Sequence, residues 1–165
     1  CTVDTDCKDP AFSRCNAANE CVACNNDTQC ERFVDTTECD ETGGGCKFCT
    51  GDSEIEHCGT TACKRSTGTC TGIVRQTAPE CGACEADSEC GDGMRCVTQT
   101  FGQPEQNVGT FCFFDATVKA CETAPAGTKP YSRPKALTSV DGQPATYCLP
   151  ATTCSALWDA TFGAY

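Results

Sequence analysis

Methionine, tryptophan and histidine each occur once in these 165 residues, and aromatic side chains make up only 7% of them. A chain so poor in large apolar groups cannot fill one compact core in the way a domain of this length usually does. Apolar runs of roughly 18 residues are missing too, so nothing reads as a membrane span. Basic residues are scarce: 12 Lys and Arg face 23 Asp and Glu, for a net charge of −11. That balance argues against nucleic acid, whose binders need a cationic face to displace counterions, and against anionic lipid. One histidine, no serine-nucleophile elbow and no phosphate-cradling glycine loop leave no catalytic residue to assign and no cofactor to expect. The sequence "TGGGC" at 42–46 reads as a turn beside a cysteine. A non-enzyme is expected.

What is abundant is cysteine, at 20 residues. That density marks a disulfide scaffold, the device by which chains without a sufficient core persist in oxidising compartments. The even count permits ten bridges with no thiol left over. The expected bridge residues are Cys1, Cys7, Cys15, Cys21, Cys24, Cys30, Cys39, Cys46, Cys49 and Cys58. They continue with Cys63, Cys70, Cys81, Cys84, Cys90, Cys96, Cys112, Cys121, Cys148 and Cys154.

Two stretches sixty residues apart, "ECVACNNDTQC" from Glu20 and "ECGACEADSEC" from Glu80, share one phrase. The shorter motif C-x-x-D-[ST] opens four segments, at Cys1, Cys24, Cys49 and Cys84. Cys21, Cys46 and Cys81 each close one segment, and the cysteine three residues on opens the next. The "CVAC", "CKFC" and "CGAC" pairs are therefore joints of a repeat, since one redox ring would suffice for oxidoreductase work. The divisions run 1–23, 24–48, 49–83 and 84–121 for four disulfide units, with 122–165 as a Pro-rich arm and C-terminal disulfide segment. In the first two units a crossed pairing is expected, Cys1 with Cys15, Cys7 with Cys21, Cys24 with Cys39 and Cys30 with Cys46, although spacing alone leaves three connectivities open. The third and fourth units hold five cysteines each, so at least one bridge leaves each. Cys148 and Cys154 either close on each other or reach back.

The opening acids Asp4, Asp27, Asp52 and Asp87 suit an Asx-turn or the cap of one helical turn, accepting N–H bonds two or three residues on. Calcium is the rival reading of the acid-rich "DTD", "ECDE" and "EADSECGDG", but no complete ligand loop is present. Zinc is the rival reading of the C-x-x-C pairs; intervening cysteines and a lone His57 argue against it, and no metal site is assigned. "NDT" at Asn26 is a sequon for N-glycosylation in a surface turn. Short β-ribbons are expected at "GTCTGIVRQ", "MRCVTQTF" and "GTFCFFDATV", the last joining Leu149, Leu157 and Trp158 in one hydrophobic cluster. The fold class is thus small and disulfide-rich: tandem cysteine-rich units with short β-ribbons and turns, elongated, with little regular secondary structure.

Between Cys121 and Cys148 lie 26 residues without cysteine, carrying Pro125, Pro130, Pro134 and Pro144. Such a segment is expected to be extended. It is also basic, through Lys129, Arg133 and Lys135, whereas the first sixty residues hold 13 acids against four bases. A docking arm that joins the acidic body of a second copy, head to tail, competes with a solvated linker or an intramolecular wrap.

The joints "CVAC", "CKFC" and "CGAC", with acidic, Thr/Ser/Gly-rich filling over roughly Cys1 to Cys121, resemble the cysteine-rich surface proteins of protists, the variant-specific surface proteins of diplomonads and the immobilisation antigens of ciliates. The resemblance implies an extended, protease-resistant extracellular rod acting in a coat, in adhesion or in recognition. The expectation is an extracellular, cell-surface structural protein of a coat or filament, self-associating or contacting other extracellular surface proteins and glycans. The alternative is a ligand-binding or adhesive ectodomain module.

Overall fold

The computed structural model describes residues 1–42, 44–121 and 132–156. All 20 cysteines are paired and none is free. Among the described residues, the named elements are two-stranded antiparallel ribbons, 3-10 turns and the short α-helix Glu54–Cys58. The chain groups into two compact bodies, Cys1–Gly72 and Ile73–Tyr165.

Three disulfide units make the first body. Each pairs a one-turn element with a ribbon: β1 (Arg14–Cys15) with β2 (Cys21–Val22), β3 (Glu38–Asp40) with β4 (Gly45–Lys47), and β5 (Thr61–Lys64) with β6 (Thr69–Val74). The turns are 3-10 at Asp4–Asp6 and Asp27–Gln29; in the third unit the longer "EIEHC" winds into α1 (Glu54–Cys58). The bridges are crossed, Cys1–Cys15 and Cys7–Cys21, then Cys24–Cys39 and Cys30–Cys46, then Cys49–Cys63 and Cys58–Cys70. The ribbon explains the crossing. Cys15 faces Cys21 and Cys39 faces Cys46 in register, so each ribbon offers two sulfurs side by side to the two cysteines of the preceding turn.

Sulfur does the filling that larger side chains do elsewhere: Cys24, Cys30, Cys39 and Cys46 form a buried cluster, joined by Phe33. Successive units are fastened by cations turned inward. The Arg32 guanidinium donates to the carbonyls of Cys7 (2.9 Å) and Ser13 (2.5 Å), tying the second unit to the first. Lys47, 9% exposed, donates to Asp40 at 2.6 Å and to the Arg65 carbonyl, tying the second to the third. Gly45 is required at φ +76°, because a Cβ there would lie 2.6 Å from the Ala11 backbone.

The second body holds the fourth unit, with a 3-10 turn at Asp87–Glu89 and a longer ribbon of β7 (Met94–Phe101) and β8 (Gln106–Phe114). Cys84–Cys96 and Cys90–Cys112 repeat the crossed scheme, with Cys96 and Cys112 again in register. Residues placed by sequence in the third unit belong here: Gln76 and Ala78 donate to the carbonyls of Ser88 and Glu89, and Cys81 pairs with Cys154. The division at 83 is corrected accordingly, since backbone pairing and the Cys81 bridge both hold 76–83 to the fourth unit.

The Pro-rich arm is also corrected. Of the segment 122–165, 122–131 and 157–165 lie outside the described residues; 132–150 folds into a hairpin of β9 (Ser132–Thr138) and β10 (Pro144–Pro150), closed by Cys121–Cys148. Both Cys148 and Cys154 reach back. Proline is tolerated because a two-stranded ribbon has outer edges at which a missing N–H breaks no ladder bond. Alternation in β10 buries Tyr147 and Leu149 against Val97 and Phe113, with Cys81 and Cys154, in the largest apolar cluster described. Leu149 joins as expected; Leu157 and Trp158 lie outside the described residues. Ribbons stand at all three expected stretches.

Candidate functional site

The feature this chain repeats is a knot of two bridges and one carboxylate, and it is the candidate from which function has to be argued. In each unit the opening cysteine, the second and the fourth bring their sulfurs within 4.8 Å of one another, as in Cys24, Cys30 and Cys46. Among the described residues, groupings of three or more candidate metal ligands are these four, all of cysteine. Every one of those sulfurs is in a disulfide and so lacks the thiolate that binds a metal.

The opening acids do something other than cap. Asp4 Oδ1 accepts from the Cys15 amide at 2.7 Å, Asp27 Oδ1 from Cys39 at 2.7 Å, and Asp87 Oδ1 from Cys96 at 3.1 Å. Each carboxylate thus reaches across the unit to the third cysteine, the bridge partner of the first. In the third unit Asp52 is exposed and Glu54 takes the role, accepting from the Cys63 amide at 2.5 Å. Local capping falls to the residue before the second cysteine. Asp6 accepts from the amides of Thr2 and Val3, Gln29 from Asn25, and Glu89 from Glu85 and Ala86. Those backbone donors hold the Asp6 carboxyl below the usual range. The full phrase is therefore C-x-x-D-[ST]-[DQE]-C, with two acceptors of different reach.

Sulfur pairing alone leaves the Cys63 amide without a partner inside a buried site, where an unmade hydrogen bond costs about 1–3 kcal/mol. Glu54→Ala is expected to lower the unfolding free energy of the first body by about that amount, while Glu54→Gln recovers most of it. Urea unfolding at pH 7 reads both.

The fourth unit elaborates its knot. Asp87 is 5% exposed; beyond the Cys96 bond, its Oδ2 accepts from Ser139 Oγ at 2.6 Å, and its own amide donates to Asp141 Oδ2 at 2.7 Å. Ser139 and Asp141 stand at the turn between β9 and β10, so the same aspartate that braces a disulfide latches the C-terminal hairpin. Burial, opposed by the Ser139 hydrogen bond and helped by the Asp141 charge, raises the Asp87 carboxyl from 3.8 to about 6. Tyr147, fully buried beside it, donates its hydroxyl to the Gln143 carbonyl at 2.8 Å. Burial first, then the charges of Asp87 and Asp115, push that phenol upward. Gln99 is a second latch: its amide nitrogen donates to the Thr152 carbonyl and its oxygen accepts from the Cys154 amide, both at 3.0 Å. Sequence reading missed Gln99; its only signal is a polar residue at an inward position of β7.

The remaining candidates disperse. Asn26 is exposed, with Thr28 Oγ1 donating to its side-chain oxygen at 2.5 Å. His57, on α1, lies 3.2 Å from Glu38 and edge-on to Phe48, and its neighbour Cys58 is bridged. Of the basic arm, Lys129 lies outside the described residues and Arg133 is exposed. Lys135 turns back on its own body, donating to Thr100 Oγ1 at 3.0 Å and pairing with Glu105 at 3.2 Å. Hydrogen bonding from Thr100 and then Lys135 holds the Glu105 carboxyl low. Of the two arm cations among the described residues, Lys135 is thus engaged within its own chain.

Complete oxidation of 20 cysteines is the constitution of a protein matured in an oxidising, extracellular-type compartment. Among the described residues, no helix is long and apolar enough to cross a membrane. Neither a protein-family model, nor a curated protein, nor a solved structure matches the chain.

Proposed function

We propose that this is a non-enzymatic structural protein of an extracellular coat or fibre, exposed at the cell surface, whose work is to resist unfolding and digestion. The observation that carries the reading is the use of one knot four times: repeated crossed bridges, each braced by a carboxylate, multiply length and crosslink density together. Each bridge typically contributes about 2–4 kcal/mol by restricting the unfolded chain, so local opening deep enough for a protease is suppressed unit by unit. The resemblance to protist surface antigens supplies the setting for this role.

Self-association belongs to the same proposal but no longer leans on Lys135, which is held within its own chain. Contacts would have to come from the remaining surface, including the exposed acids of the first body. Antibody labelling of unpermeabilised source cells, with negative-stain microscopy of the native protein, tests the reading. Surface labelling with regular lattices or filaments supports it. An unlabelled surface, or a monomer that captures one soluble ligand at micromolar affinity or better, replaces it with the binding-module alternative.

A further inference from the structure

The residue before each opening aspartate is Val3, Asn26, Gly51 or Ala86, and the repeat places a Thr or Ser hydroxyl two residues further on. Two of these positions are closed to a large addition. Ala86 is fully buried, and a Cβ at Gly51 would run into the Arg65 guanidinium. Asn26 is exposed, as are Asn25, Asp27 and Thr28 around it. An asparagine at the start of a helical turn ordinarily accepts a backbone N–H. Asn26 makes no such bond; the turn Asp27–Gln29 is capped by Gln29, whose Oε1 accepts from the Asn25 amide at 2.9 Å. Asn26 bonds instead with its neighbours: Thr28 Oγ1 donates to its Oδ1 at 2.5 Å, and its Nδ2 donates to Asn25 Oδ1 at 3.1 Å. Among the described residues, neither the Asn26 nor the Thr28 side chain hydrogen-bonds to a ribbon or to another unit.

We propose that Asn26 carries an N-linked oligosaccharide, taken from a lipid-diphosphate donor by a transferase that recognises Asn-x-Thr. In the transfer a bond forms between Asn26 Nδ2 and the sugar C1. The C1–oxygen bond breaks, its electron pair leaving on the lipid diphosphate, and one Nδ2 proton passes to a base of the transferase. The Nδ2–H that remains is enough for the bond to Asn25. The closed knot tolerates the addition, because Cys24 and Cys30 on either side turn inward to the buried sulfur cluster while Asn26 faces out. One N-linked glycan is expected, since the other four asparagines, Asn16, Asn19, Asn25 and Asn107, lack Ser or Thr two residues on. A coat protein and a ligand-binding module would carry it equally well, so this proposal stands apart from the functional reading above.

Mass spectrometry of the native protein from its source, before and after peptide N-glycanase in water labelled with heavy oxygen, tests this. The expected result is removal of a sugar mass, with Asn26 converted to aspartate carrying one labelled oxygen. Expressed in the same cells, the Asn26→Gln and Thr28→Ala proteins should lose the whole increment, whereas Thr28→Ser keeps it. An unmodified Asn26 peptide from the native protein, or an Asn26→Gln protein that retains an N-linked sugar, overturns the proposal. The Thr28→Ser variant guards against a folding defect in Thr28→Ala, because it alters the same side chain and keeps the glycan.

Discussion

Replacing Cys81 and Cys154 together by serine is expected to destabilise the body Ile73–Tyr165 by about 4 kcal/mol, against about 3 kcal/mol for the pair Cys84 and Cys96. The difference is one of loop length: the first bridge joins residues 73 apart in sequence and the second residues 12 apart. Closing the longer loop removes more freedom from the unfolded chain. For a body of this size the larger loss corresponds to a fall in melting temperature of roughly 15–30 °C. Both cysteines are changed so that no thiol remains to reshuffle the other bridges. Thermal unfolding followed by circular dichroism reads the result. A drop no larger than that of the short-bridge variant would mean that the Gln99 bonds to Thr152 and Cys154 already restrain the segment.

Asp87→Asn is expected to stabilise the same body at pH 7, although it removes a charge from a fully engaged hydrogen-bonding site. In the wild type the Asp87 carboxyl titrates near 6 when folded, against 3.8 ordinarily. The fold therefore binds this proton more tightly than the unfolded chain does. The stabilisation is complete below about 3.8 and is lost as pH rises through about 6, a span on the order of 2–3 kcal/mol. The groups that set it are Ser139 and Asp141 from the hairpin turn, with Arg95 and the Cys96 amide from β7. Tyr147, on β10, faces the same charge. Asparagine keeps an oxygen for the Cys96 amide and a donor for Ser139 while remaining neutral at every pH. Its unfolding free energy should be nearly flat between pH 4 and pH 7, where the wild type declines. Equal slopes for the two proteins would refute the assignment.

Sequence reading succeeded where the controlling interactions are local. The crossed bridges expected in the first two units are those formed, although spacing alone left three connectivities open; the registered ribbon cysteines decide among them. Sequence reading failed at the opening acids, because the partner of Asp4 or Asp27 is an amide that only the closed bridge brings near. Glu54 in place of Asp52 has the same origin: the longer α1 turn shifts which side chain points across. The hairpin of β9 and β10 was hidden by its prolines, though two signals were present. Asp141–Gly142 is a two-residue turn sequence, and Ala145, Tyr147 and Leu149 alternate with period two. The partners of Gln99 lie 53 and 55 residues away, so its inward polar position in β7 was the one local sign of its role.

The order of the bridges along the chain has a consequence for biosynthesis. Through Cys70, every bond joins residues no more than 16 apart, so each unit can oxidise soon after it enters an oxidising compartment. Cys81 must wait for Cys154, with Cys84, Cys90, Cys96 and Cys112 passing by in the meantime. The first body is thus suited to vectorial, nearly error-free maturation. The second depends on a late closing stitch, and it is there that an oxidoreductase chaperone would have most to correct.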